Sequence, residues 1–118
     1  MRRVEKPWGH ELIWAHTDRY VGKILHVTAG ESLSLQYHVA KDETIMVLTG
    51  RIELEHYADG EAPTKTILSP HEPFHITPGL RHRMVALEDS NIVEVSTAEL
   101  DDVVRLEDRY GREGTSEA

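Results

Sequence analysis

The sequence predicts an all-β protein, a sandwich or a barrel, and three observations carry that prediction. Turn formers recur throughout: Gly22, Gly30, Gly50, Asp59-Gly60, Pro63, Pro70, Pro73 and Pro78-Gly79, at intervals of roughly ten residues or less, as in proteins built of many short strands. Between them lie short runs rich in Val, Ile, Leu, Thr and Tyr, the composition of half-buried strands. Residues 32–38 alternate with period two: Ser32, Ser34, Gln36 and His38 share one face, Leu33, Leu35 and Tyr37 the other.

On this basis strands are expected near 11–15, 20–28, 32–38, 44–49, 51–57, 64–69, 73–77, 81–87 and 91–97. The 51–57 and 64–69 pair reads as a hairpin, because its loop holds Asp59-Gly60, a dipeptide suited to positive φ. Residues 45–49 read Ile-Met-Val-Leu-Thr without alternation, the pattern of a strand covered on both faces. After Asp101-Asp102, Val103, Val104 and Leu106 allow a short C-terminal helix or turn with one of the aspartates as N-cap. The 118 residues form one domain, with a core at about 7–110 and a disordered tail at 112–118.

Composition removes several function classes. Thirteen Lys and Arg stand against 21 Asp and Glu, a formal charge of −8, which argues against nucleic acid and anionic membrane surfaces. No apolar run exceeds the four residues Ile45 to Leu48, so nothing spans a bilayer as a helix. The first twenty residues hold Glu5, His10, Glu11 and His16 and no apolar h-region, so no secretory signal is expected and the cytoplasm is the default location. With no cysteine and eight histidines, any metal site must use nitrogen and oxygen ligands.

The chemistry concentrates in two stretches. In the first, Gly30, Gln36, His38, Glu43 and Gly50 follow one another with five, one, four and six residues between them. In the second, Thr77-Pro78-Gly79-Leu80-Arg81-His82 opens a strand with a histidine. This spacing resembles that of the cupins, whose first motif is Gly, five residues, His-x-His, three or four residues, Glu, six residues, Gly, and whose second holds Pro-x-Gly-x-x-His. The resemblance covers about residues 7–110 and implies a double-stranded β-helix, the jelly-roll cupin barrel. Four positions depart from it: Gln36 replaces the first histidine, Thr77 the proline, His71 the leading glycine of the second motif, and Ala86 its closing asparagine.

The glutamine narrows the resemblance. Leu33-Ser34-Leu35-Gln36-Tyr37-His38 is similar to a string in type II phosphomannose isomerases, in which a cupin domain follows a nucleotidyltransferase domain. Lys6-Pro7-Trp8-Gly9 and the closing segment Val104 to Arg112 are similar to the same family. Val39, Ala40 and Thr44 stand where that family often has imidazoles or other polar groups, and Lys41 where it often has Arg.

The residues also speak without the family. Gln36 and His38 leave one strand on one face, Glu43 enters from the neighbouring strand after a short turn, and His82 comes from a third. An amide oxygen, two imidazoles and a carboxylate at one point suit one divalent ion, Zn, Mn, Fe or Ni. His71 and His75 lie four apart and are candidates for an acid–base pair at the pocket mouth. Lys41 reads first as a solvated turn lysine and second as the cation best placed for an anionic substrate. His10, His16 and His56 are expected on solvated faces, and His26 as a satisfied core residue. By alternation Arg81 and Arg83 point away from His82. Trp8, Trp14 and Tyr20 are expected to pack near the N-terminus. In the closing segment Arg109 is expected to pair with a carboxylate and Tyr110 to bury its ring.

The resemblance implies mannose-6-phosphate isomerase-like chemistry on a sugar phosphate or related carbohydrate, with a metal-stabilised enediolate and a base within reach. The alternatives on the same scaffold are an Fe(II) dioxygenase and a non-catalytic sugar-binding or regulatory module. Outward apolar residues, Leu33, Leu35, Tyr37, Val85 and Leu87, predict a homodimer.

Overall fold

The computed structural model describes residues 1–58 and 61–114, and among them the chain is built of strands with no helix. In order these are β1 Arg2–Lys6, β2 Gly9–His16, β3 Tyr20–Val27, β4 Leu35–Tyr37, β5 Glu43–Thr49, β6 Ile52–Tyr57, β7 Thr64–Leu68, β8 Pro73–Ile76, β9 Arg81–Ala86, β10 Ser90–Thr97 and β11 Val104–Glu107. They form two antiparallel sheets, one of six strands in the order β1-β2-β3-β10-β5-β8, the other of five in the order β11-β4-β9-β6-β7. This is the jelly roll that the sequence predicts, with nine strands near their expected places.

The differences have physical causes. β1 was not expected; it pairs with β2 from Arg2↔Ile13 to Lys6↔Gly9, and pairing with β2 supplies what its charged sequence lacks in β propensity. The C-terminal residues expected to form a helix or turn form a turn at Leu100–Asp101 and then strand β11, which closes the smaller sheet against β4. Val103 is buried, so tertiary burial rather than local propensity sets the conformation there. The hairpin forms from Ile52↔Leu68 to His56↔Thr64; its Asp59-Gly60 turn lies outside the described residues. Of the expected tail, residues 115–118 also lie outside them. Arg112 pairs with Asp108 through Nε at 2.9 Å, and the Gly114 N–H donates to the Arg105 carbonyl at 3.0 Å.

The inner faces of both sheets share one core that includes Leu25, Ile45, Val47, Ile52, Leu54 and Ile76, each such side chain contributing about 2 kcal/mol by leaving water. Segment 32–38 departs from simple alternation. Only Leu35–Tyr37 is regular strand, and Ser32 makes an isolated bridge to Val85. Leu33 turns inward and joins the core, so it is not an outward residue, and Ser32, Ser34 and His38 are buried rather than solvated. In β5 Ile45 and Val47 are buried, while Met46 and Leu48 are only half-buried, so that strand is fully covered on one face alone.

Two backbone positions explain motif residues. Gly50 has φ 87°, and a Cβ there would lie 2.4 Å from the Asp89 carbonyl oxygen; only glycine turns β5 into β6 at this spot. His71, standing where the second motif usually has glycine, takes φ 71°, a left-handed conformation that costs a side-chain-bearing residue about 1 kcal/mol. The substitution His71→Gly is expected to stabilise the fold by up to about 1 kcal/mol, the relief of strain exceeding the added chain entropy. Chemical denaturation checks it; a lower midpoint than wild type would contradict it.

Candidate metal centre and its pocket

His38, Glu43 and His82 meet between the sheets. His38 follows β4, Glu43 opens β5, and His82 lies on β9. β4 and β9 are neighbours, with Gln36 and His82 as cross-strand partners. Glu43 does not arrive on a neighbouring strand, as the sequence suggested; β5 belongs to the facing sheet, and the turn from His38 to Glu43 crosses between sheets. One ligand atom from each of the three side chains lies within 4.8 Å of the others.

Asp102 shapes that turn. Its carboxylate accepts the backbone N–H groups of Val39, Ala40 and Lys41 at 3.0, 2.7 and 2.9 Å. Its backbone carbonyl accepts a hydrogen bond from His38 Nδ1 at 2.6 Å. Burial pushes the Asp102 carboxyl up, but these three donors and the nearby imidazole outweigh it and hold the group below its usual range. The aspartate expected to cap a helix thus caps a turn.

Both imidazoles are oriented in one way. His38 Nδ1 donates to the Asp102 carbonyl and His82 Nδ1 to the Leu80 carbonyl at 2.9 Å. A carbonyl can only accept, so each Nδ1 carries hydrogen and each Nε2 is the ring nitrogen turned toward Glu43. His38 Nε2 lies 3.1 Å from Glu43 Oε1 and His82 Nε2 lies 3.7 Å from the same oxygen. His82 Nε2 is buried with no hydrogen-bond partner. Burial lowers the His82 pKa more than the Glu43 charge raises it, which keeps that lone pair free. Burial alone would raise the Glu43 pKa, yet the His38 hydrogen bond and the charges of Lys41 and His38 hold it well below the usual carboxylate range. The unpartnered Nε2 of His82, the Nε2 of His38 that bonds Glu43 Oε1 at 3.1 Å, and the ionised carboxylate put two nitrogens and an oxygen at one buried point. The donor set therefore fits a divalent metal.

The remaining sequence candidates divide. Gln36 lines the same pocket, and its Oε1 accepts a hydrogen bond from Ser34 Oγ at 2.6 Å. Lys41 is not a solvated turn residue: it is 4% exposed, with Nζ 3.2 Å from Glu43 Oε2 and 3.0 Å from Glu94 Oε2. Burial works against its charge, and the two carboxylates more than restore it, so its pKa is raised. An ammonium so engaged positions Glu43 and Glu94 and is not free for a substrate anion. His71 and His75 are exposed and line no part of this pocket. His75 pairs across with Thr44, on the face of β5 opposite Glu43, and bonds Asp42 at 2.6 Å. The structure therefore does not bring this pair to the site.

Other expectations fall into place around it. His26 bonds Asn91 Oδ1 at 2.9 Å and stacks on His10, and His56 bonds Thr66 at 3.0 Å. Arg83 and Arg81 do point away from His82, the first to Glu107 and the second over Tyr57. Trp8 is buried and walls the pocket, whereas Trp14 packs across Gly22 with one side exposed. Arg109 bonds the Gly30 carbonyl at 2.7 Å rather than a carboxylate, and the Tyr110 hydroxyl bonds Glu31.

Sequence reasoning missed Glu11, Lys23, Glu94 and Arg105, all buried and all lining the pocket. Lys23 faces Glu11 at 3.4 Å, and burial together with the Glu43 charge raises the Glu94 pKa against the pull of Lys41. The missed signal was alternation: in Ile92-Val93-Glu94-Val95-Ser96 the even positions point inward.

A jelly roll with two imidazoles and a carboxylate converging inside it is the architecture of a cupin, and solved cupins superpose on the chain. KdgF from Halomonas sp. does so with a TM-score of 0.70 and 25% identity over 83% of this chain and 88% of that one. A cupin described as a sugar phosphate isomerase from Silicibacter pomeroyi gives a TM-score of 0.67 at 18% identity over 81% of this chain and 64% of that one, a likeness of fold. Within the cupins the chain belongs to the family described as mannose-6-phosphate isomerase C-terminal, whose model matches residues 1–108. The mannose-1-phosphate guanylyltransferase of Escherichia coli (strain K12) is 34% identical over 116 residues, 94% of this chain and 23% of that protein. The xanthan biosynthesis protein XanB of Xanthomonas campestris pv. campestris is 32% identical over 94% of this chain and 24% of its own length. The chain thus spans about a quarter of the length of these curated relatives.

Two outcomes follow for the centre. His38→Ala and His82→Ala should each abolish most metal retention in elemental analysis, since a shell missing a ligand is incomplete; unchanged content in both would remove the site. Asp102→Ala should weaken metal affinity ~10- to 100-fold while the fold persists, as loss of an orienting partner does elsewhere. An unaltered dissociation constant would show that the turn holds without it.

Proposed function

We propose that this domain holds one divalent ion, Zn, Mn, Fe or Ni, with His38, Glu43 and His82, and with Gln36 as a fourth ligand. With that ion bound, it would interconvert the aldose and ketose forms of a sugar phosphate, as a mannose-6-phosphate isomerase-like enzyme. The observation that supports this most is the unpartnered Nε2 of His82 beside His38 and Glu43, in a chain whose family is that of mannose-6-phosphate isomerase C-terminal domains. When bound, the ion would supply Lewis acidity toward the sugar oxygens.

The chain's own residues then divide the work. Glu94, buried on the inner face of β10 and held by Lys41, is the carboxylate we assign to the carbon-bound proton: it takes it from C2 of the aldose and returns it to C1, while the hydroxyl proton of O2 passes to O1. Lys41 keeps Glu94 and Glu43 apart and in place. Trp8, Leu25, Leu33 and Met84 wall the pocket with apolar surface that excludes water from the reacting carbons.

The metal-loaded protein is expected to convert mannose 6-phosphate to the ketose phosphate in anaerobic buffer. Glu94→Gln should lower turnover at least ~100-fold with metal content unchanged. Failure of the loaded protein on any aldose phosphate would overturn the isomerase reading. Two imidazoles and one carboxylate are also the ligand set of Fe(II) oxygenases, and turnover that needs oxygen and iron would favour that reading. Binding without turnover would favour a sugar-binding module.

We also propose a homodimer. Its face is not the one the sequence suggested, since Leu33 turns inward. Leu12, Ile24, Val93 and Met46 are successive cross-strand partners on the outer face of the larger sheet, and exposed Val95 lies beside them. An apolar stripe across four strands suits a second copy of the same sheet. Light scattering should give twice the chain mass, and Val93→Glu the chain mass itself; a monomeric wild type would contradict this. No helix among the described residues is long and apolar enough to cross a membrane, and we place the domain in the cytoplasm, where phosphorylated sugars are used.

A further inference from the structure

A chain of net charge −8 gathers five cations around this one pocket: Lys6, Lys23, Lys41, Arg105 and Arg112. Lys41 is engaged by Glu43 and Glu94; the others stand on β1, β3, β11 and the closing segment. Lys6 is half-buried and makes no salt bridge among the described residues. Burial lowers its pKa, and although Glu11 opposes this, the positive charges of Lys23, Arg105 and Arg112 lower it further. Lys23 faces Glu11 and Arg112 is held by Asp108, and the wall of the pocket that these four cations share is a place where an anion is attracted.

Two of them are placed with geometric definition. Arg105 on β11 is the cross-strand partner of Gln36, and Gln36 that of His82, so Arg105, Gln36 and His82 stand in one row across the smaller sheet. Two strand spacings, about 10 Å, separate the backbone of the arginine from that of His82. That span suits a six-carbon sugar phosphate whose reacting carbons lie at the triad and whose phosphate lies at its other end. Arg112 is held by Asp108, whose side chain is fully buried, with Nε 2.9 Å from Oδ2 and Nη2 3.1 Å from Oδ1. This fork fixes the guanidinium and leaves further N–H donors for a ligand.

We propose that Lys6, Arg105 and Arg112, with Lys23 behind them, form an anion subsite that takes the phosphate of a phosphomonoester substrate. The inference deepens the isomerase reading and rests on it for the sugar; the anion site itself needs neither metal nor turnover. It also differs from the second of the two sequence readings of Lys41, which gave the anion to that residue.

The test separates the two. Protein stripped with EDTA is titrated calorimetrically with inorganic phosphate and with mannose 6-phosphate, and with uncharged mannose as the reference. Saturable binding of both phosphates, mannose binding far more weakly, and a loss of at least ~10-fold in phosphate affinity in Lys6→Met and in Arg105→Lys are expected. Arg112→Lys should lose affinity likewise, and Lys6, the least buried of the set, keeps the test open where an arginine variant fails to fold. Unchanged affinity in the folded variants, or no saturable phosphate binding by wild type, overturns the subsite. Phosphate binding that survives while metal and turnover fail would instead sink the isomerase reading alone.

Discussion

The carboxylate of Glu43 has almost no contact with solvent, and the surrounding structure is organised by the need to keep it charged. An isolated buried carboxylate costs many kcal/mol or takes up a proton. Here Lys41 lies on one oxygen and His38 and His82 face the other. Lys41 is in turn shared with Glu94, so two carboxylates, one ammonium and two imidazoles stand or fall together. Removing Lys41 would leave Glu43 and Glu94 buried without their cation, a loss of several kcal/mol in comparable settings. The same arrangement that keeps Glu43 ionised brings the Nε2 atoms of His38 and His82 to one of its oxygens, and these three ligand atoms are a set that a divalent cation would satisfy.

The C-terminal segment converts this cluster into a site. Asp102 holds the turn between the ligands through three backbone bonds and orients His38 through its carbonyl. β11 then places Arg105 in line with Gln36 and His82. Beyond it Arg109 bonds Gly30 and Tyr110 bonds Glu31, which ties the closing segment to the loop before the first motif. The two motifs are themselves joined, since the Gly79 N–H donates to the His38 carbonyl at 2.7 Å. Local turns and long-range bonds thus agree on one geometry, as expected of a sequence with little internal conflict.

Much of this was legible in the residues, for reasons that can be named. Strands with apolar inner faces and glycine turns announced themselves by period and punctuation, and Gly50 marked a turn that only glycine can make. That His38, Glu43 and His82 would meet showed through their spacing. What stayed hidden was hidden by charge. Glu11, Lys23, Glu94 and Arg105 drew no attention, because a sequence does not show that an inward carboxylate has a cation waiting on another strand. Lys41 misled in the same way, since the turn that carries it is folded into the pocket by Asp102 from far along the chain. β1 and β11 escaped because charged and short segments become strands only when a neighbour offers pairing. His71 and His75 looked like an acid–base pair on the line of the sequence, but the pleat of β8 sends His75 to the outer face.

The most direct test of the centre is anomalous diffraction from crystals grown with zinc or manganese, recorded on either side of the metal's absorption edge. The account predicts a single strong peak bounded by His38 Nε2, His82 Nε2 and the Glu43 carboxylate. A map with no peak among these atoms, or with the metal held elsewhere by exposed histidines such as His75, would contradict it.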